Sequence, residues 1–178
     1  SNVNGYIIDE SNILEFVNFW EAFSKIDFDK HKQLNVILKR FNNSFEKSDM
    51  QDRIIDLMIA YEGFFLGKDE KQELSYKLSL RVAHYYPLAA YSNSFIFAFV
   101  KKAYGLRSDA VHGSVKNQQV IGIGNQQFPI HEVIEKLQEI FRVCLYKYIT
   151  ESFEVEIKDV IKNIDEVIIS RIQSTEIE

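Results

Sequence analysis

Only two prolines, Pro87 and Pro129, and seven glycines interrupt this chain of 178 residues. Proline removes a backbone donor and breaks a helix interior, and glycine weakens one, so a chain this poor in both is free to form long helices. The apolar residues then recur at helical spacing over most of the length. In "SNILEFVNFWEAFSKI", Ser11 and Asn12 are cap candidates, and Ile13, Phe16, Val17, Trp20 and Phe23 share a face. "DKHKQLNVILKRFNNSF" repeats the pattern with Leu34, Ile37, Leu38 and Phe41, and "SDMQDRIIDLMIAYEGFFLG" runs from a Ser48-Asp49 start to a Gly67 stop.

A fourth segment carries Leu74, Leu78, Val82 and Tyr85 up to the break at Pro87. A fifth carries Phe95, Phe99, Ala103, Leu106 and Ala110, with Gly113 as its expected C-cap. Inside it, Gly105 either costs helix stability or marks the close approach of a neighbour. Residues 114–128 lack helical pattern and suit a short hairpin or a loop equally. From Pro129 a strong stripe of Val133, Leu137, Ile140, Phe141 and Cys144 resumes, and a last helix over roughly 155–173 turns Val160, Ile161, Ile164 and Ile168 inward. The expectation is an all-α bundle of six or seven helices. With 46% apolar residues, 14 of them Phe and 9 Tyr counted within it, one domain over 1–178 can bury a sufficient core.

Composition narrows the function classes. One cysteine, Cys144, excludes a disulfide framework within the chain and suits a reducing, cytoplasmic setting. No apolar run reaches membrane-spanning length, so no membrane partner is expected. The start at Ser1-Asn2 fits an expression scar and a domain cut from a longer protein. His31, His84 and His131 have no partners at metal-ligand spacing, so neither metal nor cofactor is expected. "FLGKDEK" lacks the glycine spacing and hydroxyl of a phosphate loop, and "KDEKQE" reads as a solvated helix start.

Net charge is −5, which opposes electrostatic coating of nucleic acid, yet residues 95–118 run the other way. There Lys101, Lys102, Arg107 and Lys116 stand against Asp109, a net of +3. This stretch contains "YGLRSDAVHGS", which gathers Arg107, Ser108, Asp109 and His112. On a regular helix Arg107 and His112 lie about 140° apart, whereas Ser108 and His112 share a face. Spacing leaves two readings: a helix end whose cation and histidine complement the dipole, or half of a site completed by a second copy.

The stretch from "DRIIDLMIAYEGFFLG" through "ELSYKLSLRVA" to "LRSDAVHG" resembles the HEPN superfamily, and most closely its Apea-like branch. The resemblance covers about residues 50–116. It rests on Glu62 before paired aromatics, on Glu73 and Arg81, and on the arginine–four–histidine spacing of Arg107 and His112. It departs from many members in carrying Ser108 directly after the arginine. The resemblance implies an all-helical domain that dimerises through the Arg107/His112 region and is a metal-independent endoribonuclease, or an inactive module binding RNA or protein. Arg107 and His112 would be the catalytic pair, Ser108 and Asp109 would orient them, and Lys101, Lys102 and Lys116 would hold the RNA backbone. Such domains often serve in bacterial toxin or antiviral defence systems, so an antitoxin or an attached N-terminal domain is a further expected partner.

Overall fold

The computed structural model describes residues 10–87, 90–111 and 120–175. They form an all-α bundle of seven helices with one small hairpin: α1 (Glu10–Ser24), α2 (Lys32–Glu46), α3 (Met50–Phe65), α4 (Leu74–Tyr85), α5 (Asn93–Val111), β1 (Val120–Ile123), β2 (Gln126–Pro129), α6 (Ile130–Glu151) and α7 (Ile157–Thr175). None of these helices is long and apolar enough to cross a membrane.

Helix α3 is the axis of the bundle. The Asp49 side chain accepts from the backbone N–H groups of Gln51 and Asp52, satisfying two of the donors that a helix start leaves open. Beyond this cap, Leu57, Met58, Tyr61, Phe64 and Phe65 are fully buried among α2, α5 and α6. Tyr61 lies 4.5 Å from Phe141 between ring centroids, and its hydroxyl donates to the Leu137 carbonyl at 2.7 Å. A phenol this deep needs such a partner, since an unpaired buried hydroxyl would cost about 1–3 kcal/mol.

In α4, α6 and α7 the expected stripes are the ones that pack: Leu78, Val82 and Tyr85; Val133 through Cys144; and Val160, Ile161, Ile164 and Ile168 are all buried. Burial also pushes the Cys144 thiol far up, which keeps it protonated and unreactive. The open choice over residues 114–128 resolves as a hairpin from Val120 to Pro129, while 114–119 lie outside the described residues. Gly124, at φ +57°, supplies the positive φ that a two-residue hairpin turn demands. The Ile121–Phe128 pair faces inward, with Phe128 edge-on to Phe99 at 5.6 Å.

Two expectations are corrected here. Ser11 and Asn12 lie inside α1 rather than capping it. Of its predicted core stripe only Phe23 packs inward: Ile13, Phe16, Val17 and Trp20 are exposed, and Phe19 and Ala22 join Phe23 in contact with the body of the protein. Period alone selects the residues that share a face; it does not supply a neighbour to cover them.

Candidate functional site around Arg107

Helix α5 packs on α3 and α4 through Ile96, Phe99, Val100 and Ala103, which sets the azimuth of every other side chain on it. Arg107 follows Ala103 by one turn and therefore leans toward α3. There its Nη2 approaches Glu62 Oε2 at 3.6 Å, and its guanidinium carbon lies 6.0 Å from the centre of the Tyr104 ring. The Tyr104 ring stands near the same Glu62 carboxylate. Burial first, then the charge of Glu62, raise the tyrosine pKa, with Arg107 opposing.

The arginine is thus held between an acid and an aromatic face. Its side chain keeps 29% of its surface open, and its Nε is buried with no hydrogen-bond partner among the described residues. That N–H is shielded from solvent, so what an anion can reach is the part of the side chain that stays open. The described residues leave α5 at Val111, so the dipole reading of Arg107 and His112, which turns on where the helix ends, lies outside them.

The other predicted site residues are placed as follows. Ser108 is half-buried and Asp109 exposed, and no hydrogen bond joins either to Arg107 among the described residues. Lys101 and Lys102 are exposed on α5, about 120° and 140° around the helix from Arg107, so one protomer does not bring them onto the arginine's face. Lys101 instead lies 5.5 Å from the Phe97 ring and 6.0 Å from Tyr76. His112 and Lys116, together with the expected Gly113 cap, lie outside the described residues, which leave α5 at Val111.

Glu62 belongs to this site through its contact with Arg107, although the sequence offered it only as a point of resemblance. Tyr104 was missed altogether. Its three-residue step to Arg107 is the local signal that could have found it. Among the described residues no three His, Cys, Asp or Glu side chains cluster as metal ligands would.

A second polar centre is structural. Arg81, 8% exposed, grips Asp165 with Nε and Nη2, both at 2.8 Å, and sends Nη1 to the Phe65 carbonyl and Glu70 Oε1. Glu70 also accepts from the Gly67 N–H at 2.8 Å. The turn in "FLGKDEK" is therefore filled by the chain's own carboxylate; the "KDEKQE" segment is exposed, as expected, except at half-buried Glu70, and leads into α4, whose first helical residue is Leu74. Burial raises the Glu70 pKa, but Arg81, the Gly67 amide and Lys77 outweigh it and hold it below its ordinary value.

No family model, curated protein or solved structure matches the chain.

Proposed function

We propose that the domain is a metal-independent endoribonuclease of the HEPN type, acting at a composite cleft where two chains bring their Arg107/His112 regions together. The observation that carries this reading is Arg107 itself. A permanently charged fork lies beside Glu62 and the Tyr104 ring, with 29% of its side-chain surface open to an approaching anion. Donors positioned in advance in this way stabilise a negatively charged transition state with little reorganisation at the moment of reaction.

In the proposed reaction the ribose 2′-hydroxyl attacks the adjacent phosphate. His112 takes the hydroxyl proton or returns one to the leaving 5′-oxygen, the work an imidazole side chain is suited to. Arg107 braces the phosphorane charge, and Ser108 and Asp109 orient the pair within or across the dimer. Lys101, Lys102 and Lys116 hold backbone phosphates of the same RNA outside the reacting centre. The products end in a 2′,3′-cyclic phosphate and a 5′-hydroxyl, and DNA, lacking the attacking group, is spared. The setting this reading suggests is a cytoplasmic toxin or antiviral defence protein, restrained by an antitoxin or by an attached N-terminal domain.

The pairing of Arg107 with Glu62 also favours a second reading. An arginine whose charge is already paired within its own protomer suits a non-catalytic module that binds RNA or a protein partner. Labelled RNA incubated in excess chelator separates the two. Cleavage to cyclic-phosphate ends, abolished in folded Arg107→Ala and His112→Ala variants, supports the ribonuclease. RNA bound but left intact by the wild-type dimer supports the binding module.

A further inference from the structure

Five of the fifteen exposed large apolar side chains among the described residues lie on the 15-residue α1. Ile13, Leu14, Phe16, Val17 and Trp20 are each between 41 and 64% exposed. Ile13, Phe16, Val17 and Trp20 stand at i, i+3, i+4 and i+7 and share one face, flanked by Leu14. Phe16 and Trp20 stack at 6.4 Å, and Trp20 continues onto Phe23 at 6.0 Å, so the face is an ordered aromatic ridge. The opposite side of α1 is held on α6, where Phe19 stacks on Tyr146 at 5.8 Å. A helix of this length is marginal on its own and takes its stability from what it buries.

The chemistry of the face selects its occupant. α1 contains Glu10, Glu15 and Glu21 and no lysine or arginine. An acidic helix repels nucleic acid and lacks the basic flank that holds an amphipathic helix on an anionic membrane. The face itself bears no charge, so it meets no like-charge penalty against an identical face. At about 200 Å² for a complete large side chain, the five residues expose on the order of 500 Å². Two such faces together remove at most about 1,000 Å² of apolar surface from water, the lower bound for a specific interface and the size of a weak, reversible one.

We propose that α1 is a homotypic interface, pairing antiparallel with α1 of a second copy about a two-fold axis between Phe16 and Val17. An isologous contact must be self-complementary, and this register is. It sets Phe16 against the smaller Val17, and Trp20 against Ile13, so large side chains meet small ones along the seam. This surface is separate from the Arg107 end of α5 and does not depend on the ribonuclease reading.

Trp20 is the chain's one tryptophan and reports on the interface directly. The expected result is a dimer by sedimentation equilibrium at tens of micromolar, with blue-shifted Trp20 emission that moves to the red on dilution. Phe16→Glu, at an exposed position that leaves the helical circular dichroism intact, weakens self-association by at least about thirtyfold. Val17→Cys, beside the two-fold axis, forms an intermolecular disulfide under mild oxidation. Ser24→Cys, at the far end of the helix, does not, and buried Cys144 gives no background. A monomer at about 100 µM with solvent-exposed, dilution-independent Trp20 emission overturns the proposal. So does a dimer that survives Phe16→Glu and gives no Val17→Cys cross-link.

Discussion

Gly105 offers a test that reads helix energetics and the proposed dimer cleft together. It lies in the interior of α5, two residues before Arg107, is exposed, and a Cβ built there meets nothing within 4 Å among the described residues. Of the two readings of this glycine, a stability cost or a close neighbour, the described residues therefore favour the first. What remains is the intrinsic cost, about 0.8–1.0 kcal/mol relative to alanine, because glycine surrenders more backbone freedom on folding. The new methyl of Gly105→Ala buries no area and clashes with nothing, so the full propensity gain should survive. For a domain of this size it corresponds to a Tm increase of about 2–4 °C. Urea unfolding followed by circular dichroism at low micromolar concentration measures it. A loss of stability would refute the reasoning, since it requires a contact at this position that the described residues do not supply. The same variant probes the cleft. If the partner chain approaches α5 beside Arg107, RNA cleavage falls while protomer stability rises.

Other perturbations separate the two polar centres. Glu62→Gln keeps the shape but removes the charge facing Arg107. Stability should change by less than about 1 kcal/mol, because the ion pair is half-exposed and loose, whereas single-turnover RNA cleavage should drop at least tenfold. Unchanged cleavage would show that Arg107 works without this restraint. Arg81→Met should cost about 3 kcal/mol in urea unfolding, the low end for breaking a buried pair, because Asp165 can regain water while Glu70 and the Phe65 carbonyl cannot readily do so. Adding Glu70→Gln should recover part of that loss. For His84, burial and then the nearby Arg171 lower the pKa from its ordinary 6.5, so the folded state disfavours the proton. Its contribution to stability is present above pH 6.5 and is lost as pH falls toward the depressed value. His84→Asn should flatten the urea midpoint between pH 7.5 and 5; an unaltered slope would remove His84 as the cause.

The number and order of the helices were legible because their signals are local: the Asp49 cap, the break at Pro87, and stripes such as Leu78–Val82–Tyr85 need no knowledge of distant residues. The environment of each face was not. The stripes of α1 and α7 look alike as sequence, yet Ile161 and Ile164 meet the body of the protein while Phe16 and Trp20 meet water. Charged residues failed for the same reason. Glu70 reads as a surface acid until Arg81 and Gly67 claim it, and Arg81 in turn depends on Asp165, 84 residues further along. At the candidate site, the Arg107 position was marked by its motif, but its orientation is set by Glu62, 45 residues earlier on another helix.

The two proposed self-contacts constrain each other. An α1 pair and an Arg107 cleft are both isologous, and each alone closes a dimer. If one protomer uses both, the assembly either closes as a tetramer with two-fold axes at each contact or extends as an open chain. A protein in which both contacts form should therefore sediment as a tetramer, whereas the α1 contact alone gives the dimer expected above. Phe16→Glu should then reduce it to a dimer that still cleaves RNA, because the composite cleft is untouched. Arg107→Ala should leave the α1 contact, and its Trp20 emission, as they were. A Phe16→Glu protein that becomes monomeric and loses cleavage together would show instead that α1 pairing is what brings the two Arg107 regions within reach of one RNA.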